Sequence, residues 1–589
     1  MIIDVIISIS MEQEYFYHPL DNIEDTEFFE TTIDRRVFNH KLSPERPYTY
    51  WTLELYDQDN GIRGGGGLGV LAADTRRIAE QVKVPFVLIT PFYPSETHQK
   101  WQDGRVVDEH SPVNYRDFGF ERIDDVFVKC CGNLCRLEVI EKKFKNTRIV
   151  AITEPNFGEL YSGLSGSDHR LYQEVSLGFG GYQALKLLGL RPATMQLNEA
   201  ATFFAALVRL DELASNGMDF YEAVVYTRKH TLYTNHTLVQ AAEAEFSFEQ
   251  FENFVFPNLK SKAVKKWLTD KFENGKIRLS SVTIEIAELR SGVSKLHARV
   301  ANYRDIAGER VKFKAITNGI YMKKWVLPDI LRFYHEEGIL DEYDMTPANF
   351  SKNLEAVSGD LILSFKEVGR GILNSVLAHR PDQNGRILKF EEGEMIFDFK
   401  RRFVDYKRPG LPFKDPARLK KILESCNGHY ILAGRVHTGD TRMAGILGQI
   451  LDTVGADDFL SMHVHYIPDY DEELAYALSV GSNVAINVPI VGLEACGTSW
   501  EKDVANLNLL ISTHDGGVAD GSTSSYLNVH GMGEEEELLD LYRRMSEAAE
   551  IWRNKFELEN MIRAQLAEFL PIISGARMLK DYLDYLLPE

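Results

Sequence analysis

The sequence predicts an α/β protein of two doubly wound, Rossmann-like domains with a catalytic cleft between them. Three observations lead there. Short apolar runs alternate with amphipathic stretches along most of the chain, which is the pattern of parallel strands joined by crossover helices. At 589 residues and roughly 150 residues per domain, the chain is long enough for two large α/β units. A second strand–helix series follows Ile320. It divides the chain into a glycine-loop domain, residues 1–320, and a second domain, residues 321–589, whose last helices return to the first. Such domains bind ligands at the carboxyl ends of their strands.

In chain order, Val84–Ile89, Arg148–Ile152, Val224–Thr227 and Tyr430–Ala433 read as buried strands. Ala72–Gln81, Glu174–Leu188, Ala201–Ser215 and Arg418–Ser425 read as helices. Glu534–Glu537 opens a long helical tract, with the acids expected as a solvated cap at its start. Leu558–Leu587 is also read as helical. Phe251–Phe256 carries three phenylalanines, expected in a core or interface.

Composition excludes several classes. Hydrophobic residues make up 44% and charged residues 26%, ordinary for a globular chain. The net charge of −21 repels phosphate backbones, so no nucleic-acid partner is expected. No apolar run approaches the ~18 residues that would mark a membrane span, and Met1–Ser10 lacks the basic start and cleavage site of a signal peptide. The 5 cysteines, odd and sparse, point to a reducing, cytoplasmic compartment. No metal is expected. Cys131 and Cys135 lack a second ligand pair at zinc spacing. His463 and His465, on one face if the segment is a strand, stand with no carboxylate at recognisable spacing.

Three segments carry the candidate chemistry. Arg63–Val70 is glycine-rich and precedes a helix, so its backbone is suited either to close approach by an anion or to a tight packing turn. Arg401–Arg408 sets four basic residues, Arg401, Arg402, Lys407 and Arg408, among aromatic and apolar ones in an acidic chain. It reads as an anion site or as a salt-bridged surface helix. After the strand-like run Ala485–Val488, Gly497-Thr498-Ser499 offers a second anion seat. Lys502 follows about one turn on, where it could hold a carbonyl cofactor or simply face solvent.

Together these pieces resemble the α-glucan phosphorylases, the glycogen and maltodextrin phosphorylase family, from about Pro47 to Gly521. The resemblance rests on Gly64–Ala73, Met195–Glu199, Tyr233–Thr237 (YTNHT), Thr317–Ile320 with Lys324-Trp325, Arg402 with Tyr406–Arg408, and Glu494–Thr498 with Lys502. It implies a glycosyltransferase B fold and reversible phosphorolysis of α-1,4-glucan by inorganic phosphate to give glucose 1-phosphate. It also implies pyridoxal 5'-phosphate as cofactor, its phosphate acting as proton shuttle, and a homodimer. Carried over residue by residue, Lys502 holds the cofactor, Gly497 and Thr498 seat its phosphate, and Tyr470 lies beside its ring. Arg402 and Lys407 bind the phosphates, with Gly67 adding a backbone donor. His236, Asn318 and Glu494 hold the reacting glucose, and Gly66, Leu68 and Cys496 line the same site.

The chain departs from the family in places. Ala201 stands where the family has a sugar-site histidine, Arg435 replaces a lysine, and Glu501 replaces a methionine before the cofactor lysine. The chain is also shorter than typical members, so phosphorylation control of the animal kind is not expected. Two alternatives stay open on sequence: a nucleotide-sugar transferase of the same fold, which needs no lysine at 502, and a glucan-binding protein that has lost turnover.

Overall fold

A computed structural model describes residues 42–64, 66–160, 165–237, 244–301, 305–306 and 309–586. The reading of Met1–Ser10, Gly65 of the glycine loop and Leu587 lie outside these residues. Two large sheets organise the described chain. The first has nine strands in the order Lys314–Ala315, Leu289–Gly292, Thr231–Asn235, Thr194–Asn198, Tyr48–Trp51, Phe86–Pro91, Thr147–Thr153, Asn133–Lys143 and Glu121–Cys130. All neighbours pair parallel except the last two strands, which form an antiparallel edge. The second sheet has six parallel strands: Val464–Ile467, Gly428–Ala433, Met395–Lys400, Val484–Asn487, Leu509–Thr513 and Leu527–Val529.

Strand order decides where a ligand can sit. In each sheet the chain reverses its direction of winding at one gap: between Tyr48–Trp51 and Thr194–Asn198 in the first, and between Met395–Lys400 and Val484–Asn487 in the second. Connections leave such a gap on opposite faces, which opens a crevice at the carboxyl ends of its strands. The central strands are buried on both faces, as parallel strands covered by helices must be. Phe86–Pro91 (FVLITP) and Met395–Lys400 (MIFDFK) are buried throughout. Inside the latter, Lys400 lies between Asp398 and Asp503, so its buried charge is paired.

Two connections tie the halves together. The hairpin Ser95–Gln102/Arg105–Pro112 leaves the first half and reaches the second. There the Gln99 amide donates to the Val436 carbonyl at 2.7 Å and accepts from the Val436 N–H at 3.0 Å. At the other end, Ile320 and Ile573–Gly575 exchange backbone hydrogen bonds, and the helix Gly575–Leu586 returns to the first half. Its Met578, Leu579, Tyr582 and Leu586 share a core with Tyr48, Tyr50 and Leu71. No described helix is long and apolar enough to cross a membrane.

Most elements lie where the sequence places them. Val224–Thr227 does not: it belongs to the helix Phe220–Lys229, and the strand follows at Thr231–Asn235. A four-residue apolar run fits either structure. Asp219 resolves it by capping the helix, accepting from the Tyr221 and Glu222 N–H groups. Ala223 and Thr227, four apart, then form the buried face, and Val225 is exposed. His463 ends the helix Asp458–His463 instead of opening a strand. Its ring nonetheless stacks on His429 at 4.8 Å, and His465 stacks on the same ring at 5.4 Å. The acids at the start of Glu534–Arg553 are more than a solvated cap, because Glu534 pairs with Lys414 and Glu537 with the buried Arg408. Phe251 and Phe254 are core residues.

Candidate functional site

The two crevices face each other and merge into one cleft of about 650 Å³. Every residue singled out from the sequence lines it: Gly66, Gly67, Leu68, His236 and Asn318 from the first half, and Arg402, Lys407, Tyr470, Glu494, Cys496, Gly497, Thr498 and Lys502 from the second. The second-half groups follow from the topology. Arg401–Arg408 leaves the end of Met395–Lys400, and Glu494–Thr498 lies beyond the end of Val484–Asn487.

The glycine loop serves both alternatives, at different residues. A Cβ on Gly69 would lie 2.8 Å from the Tyr56 nitrogen, so Gly69 is a packing glycine. Gly67 has nothing within 4 Å of the corresponding position, and Gly66 has the Arg402 guanidinium at 3.5 Å. This part of the loop is open backbone facing a cation of the other half. The Gly66 N–H donates to Glu54 at 2.8 Å.

The basic segment forms a short 3-10 turn rather than a surface helix. Arg401 and Lys407 point inward, both toward Glu494, at 2.7 and 3.5 Å. Although burial pushes the Glu494 carboxyl up, Arg401 and Lys407 hold it below its ordinary value. Burial, reinforced by Arg401 and Arg402, pulls the Lys407 amine down to about 7. Two cations thus face one carboxylate with Arg402 close by, and Nε and Nη1 of Arg401 are buried without an acceptor. Such a cluster is built to receive an anion. Arg401 is the residue that the sequence reading passed over in favour of Arg402. The doubled arginine was the only local signal, and burial separates the two: Arg401 is buried and Arg402 exposed.

Lys502 projects from the helix Ser499–Ala505 into this cleft. It is 6% exposed, and its Nζ lies 3.3 Å from the centre of the Trp325 ring. Burial pulls the amine down to about 8, against the attraction of Asp74 and Glu472. Asp74 comes from the glycine-loop helix and accepts from the Trp325 indole at 2.7 Å. Sequence reading missed Asp74, Glu472 and the role of Trp325, since each is far from Lys502 along the chain. Gly497 allows the turn before the helix, because a Cβ there would lie 2.7 Å from Arg401 and 3.0 Å from Glu494. Tyr470 donates to the Lys400 carbonyl at 3.3 Å, closing the wall beside the amine.

The opposite wall is polar, with an uncharged histidine at its centre. Burial pushes the His236 imidazole down to about 3, so it is uncharged at neutral pH. Its Nε2 lies 3.1 Å from Asn198 Oδ1, while Asn198 Nδ2 donates to the Trp51 carbonyl. The amide orientation therefore puts the imidazole proton on Nε2. Glu199, held at φ 66, accepts from the His236 N–H at 2.9 Å and from the Thr237 hydroxyl at 2.6 Å. Asn318 donates to the Cys496 carbonyl at 3.1 Å. Asn235, in a formal glycosylation sequon, is 4% exposed and hydrogen-bonded inside the fold.

The residues fit a phosphate-bearing carbonyl cofactor. They offer a buried amine with a lowered pKa, guanidinium donors that lack an acceptor, and a glycine turn between them. Among the described residues no group of three or more His, Cys, Asp and Glu is arranged to hold a metal ion.

The profile of the carbohydrate phosphorylases matches residues 191–578. The maltodextrin phosphorylase of Thermococcus litoralis is 23% identical over 94% of this chain and 73% of its own length. The glycogen phosphorylase of Mycobacterium bovis is 24% identical over 91% of this chain and 70% of its own. That of Aquifex aeolicus is 27% identical over 71% of this chain and 66% of its own.

Proposed function

The chain belongs to the carbohydrate phosphorylase family, and we propose that it catalyses reversible phosphorolysis of α-1,4-glucan, releasing glucose 1-phosphate, with pyridoxal 5'-phosphate as cofactor. One observation carries this reading: a buried, pKa-lowered Lys502 shares a cleft with three cations, one of them carrying unfilled donors. A nucleotide-sugar transferase has no use for that lysine.

In this proposal Lys502 holds the cofactor covalently, Gly497, Thr498 and Tyr470 line its seat, and Lys407 reaches its phosphate. When bound, pyridoxal 5'-phosphate supplies a phosphate group that relays a proton to the substrate phosphate. The chain's own task is to let two anions meet. Like unit charges about 4 Å apart repel by about 4 kcal/mol at the effective dielectric of a protein site. Arg402 and Lys407 offset that repulsion, Arg401 anchors Glu494, and the open backbone at Gly67 donates to the substrate phosphate. His236, Asn318 and Glu494 hold the glucosyl ring, with Gly66, Leu68 and Cys496 shaping its walls. A neutral His236 suits a group that orients hydroxyls beside a developing positive charge.

The test is direct. Purified, cofactor-loaded protein given maltoheptaose and inorganic phosphate should release glucose 1-phosphate, and Lys502→Ala should not. Loaded protein that binds glucan and releases none would overturn the proposal.

A further inference from the structure

Glu501 has no task in that mechanism, yet it sits directly before Lys502 and is 0% exposed. Its Oε1 accepts from the Cys496 thiol at 3.6 Å, and its Oε2 is buried without a partner. Cys496 in turn offers its carbonyl to Asn318 Nδ2 at 3.1 Å, and Asn318 Oδ1 is also buried and unfilled. Arg577, from the returning helix Gly575–Leu586, grips the same segment from behind. It donates to the carbonyls of Thr317 at 2.8 Å and Asn318 at 3.2 Å, while its Nε has no acceptor. Unsatisfied polar atoms thus stand on Glu501, Asn318 and Arg577, and Cys496 links the first two.

We propose that Glu501 is a positioning residue for the sugar wall: it fixes the Cys496 thiol and, through the Cys496 carbonyl, the Asn318 amide that meets the glucosyl ring. The inference rests on the assignment of Asn318 and Cys496 to the sugar made above. The electrostatics agree with the geometry. Burial pushes the Glu501 carboxyl up to about 8, opposed by Arg577, Cys496 and Lys502 and assisted by Asp74. At neutral pH it carries a proton, and its O–H is a donor on the same wall as the unfilled acceptor Asn318 Oδ1. Above that pH it becomes a buried carboxylate that attracts Arg577, already paired with Asp581 at 3.0 Å and drawn by Asp520, and the added pull competes with the bonds by which Arg577 holds Thr317 and Asn318. Sugar binding should therefore weaken on the alkaline side in a way that depends on residue 501, whereas the pH dependence of phosphate binding is set by Lys407 and should not depend on it.

The experiment compares wild type, Glu501→Gln and Glu501→Leu as cofactor-loaded protein. The Michaelis constants for maltopentaose and for phosphate are measured separately between pH 6.5 and 9.5 (a working range of about three units around the titration), with cofactor content read by absorbance. Wild type should lose maltopentaose affinity several-fold above pH 8, and its phosphate profile, governed by Lys407, should be the same as that of Glu501→Gln. Glu501→Gln should keep the neutral-pH value and flatten that alkaline limb. Glu501→Leu should bind maltopentaose several-fold more weakly at every pH, with full cofactor content. An unchanged alkaline limb for maltopentaose in Glu501→Gln, or a phosphate profile that changes along with it, would overturn the proposal. If Glu501→Leu does not fold, the glutamine arm decides alone. Calorimetric titration with maltopentaose reads the same contrast without turnover, so failure of the phosphorylase reading and failure of this inference are told apart.

Discussion

Lys407 makes anion binding a proton-linked event. Its amine is pulled down to about 7 by burial beside Arg401 and Arg402, with Glu494 pulling the other way. An anion in the cleft favours the charged amine, so the bound-state pKa rises. The sign follows: below pH 7 the amine is already charged and affinity is flat, while above it each binding event must take up a proton. Between pH 6 and pH 8 the charged fraction falls from about nine-tenths to about one-tenth. Affinity should weaken roughly tenfold, or about 1.4 kcal/mol. Sulfate is the appropriate probe, because it does not titrate in this range as phosphate does. Calorimetry on cofactor-free protein, in two buffers of different ionisation enthalpy at fixed ionic strength, should give uptake of close to one proton at pH 8. Lys407→Met should bind sulfate more weakly and with most of the pH dependence between 6 and 8 lost, the remainder coming from the free Lys502 amine. Sulfate affinity that is level from pH 6 to 8 with no proton uptake would refute the reasoning.

Other consequences follow from the same geometry. Arg401→Met leaves the buried Glu494 with only the more distant Lys407, and should cost about 3–5 kcal/mol, read as a lower denaturant midpoint. The glycine loop separates packing from function: Gly69→Ala meets backbone and should destabilise the fold, whereas Gly67→Ala meets nothing. Gly67→Ala should therefore keep its thermal midpoint while weakening phosphate use, and equal midpoints for the two variants would contradict the division. Gln99→Ala removes both hydrogen bonds to Val436 and should cost about 1–3 kcal/mol, with faster amide exchange at Val436 as a local readout.

The sequence made the cleft residues legible because they fall in short local motifs, one of which follows the strand-like run Ala485–Val488. Less of the electrostatics could be read. Whether Arg401 or Arg402 is buried depends on how the chain turns after Lys400, and adjacent residues carry no label for that. Asp74 and Glu472 act on Lys502 from other elements, so neither could be connected to it by spacing. The strand order, which creates the two facing crevices, is likewise a long-range property. Val224–Thr227 failed for the opposite reason: a short β-branched run gave a strong local signal that the cap at Asp219 overrides. Glu501 was visible only as an oddity beside the lysine, and its burial against Cys496 gives that oddity a physical content.

The central claim is that Lys502 carries the cofactor, and peptide mapping by mass spectrometry after borohydride reduction tests it most directly. Protein purified with ample pyridoxal 5'-phosphate should yield the peptide containing Lys502 with a reduced pyridoxyl phosphate fixed on its amine, and Lys502→Ala should yield none. An unmodified Lys502 under those conditions, or the label on another lysine, would contradict the account.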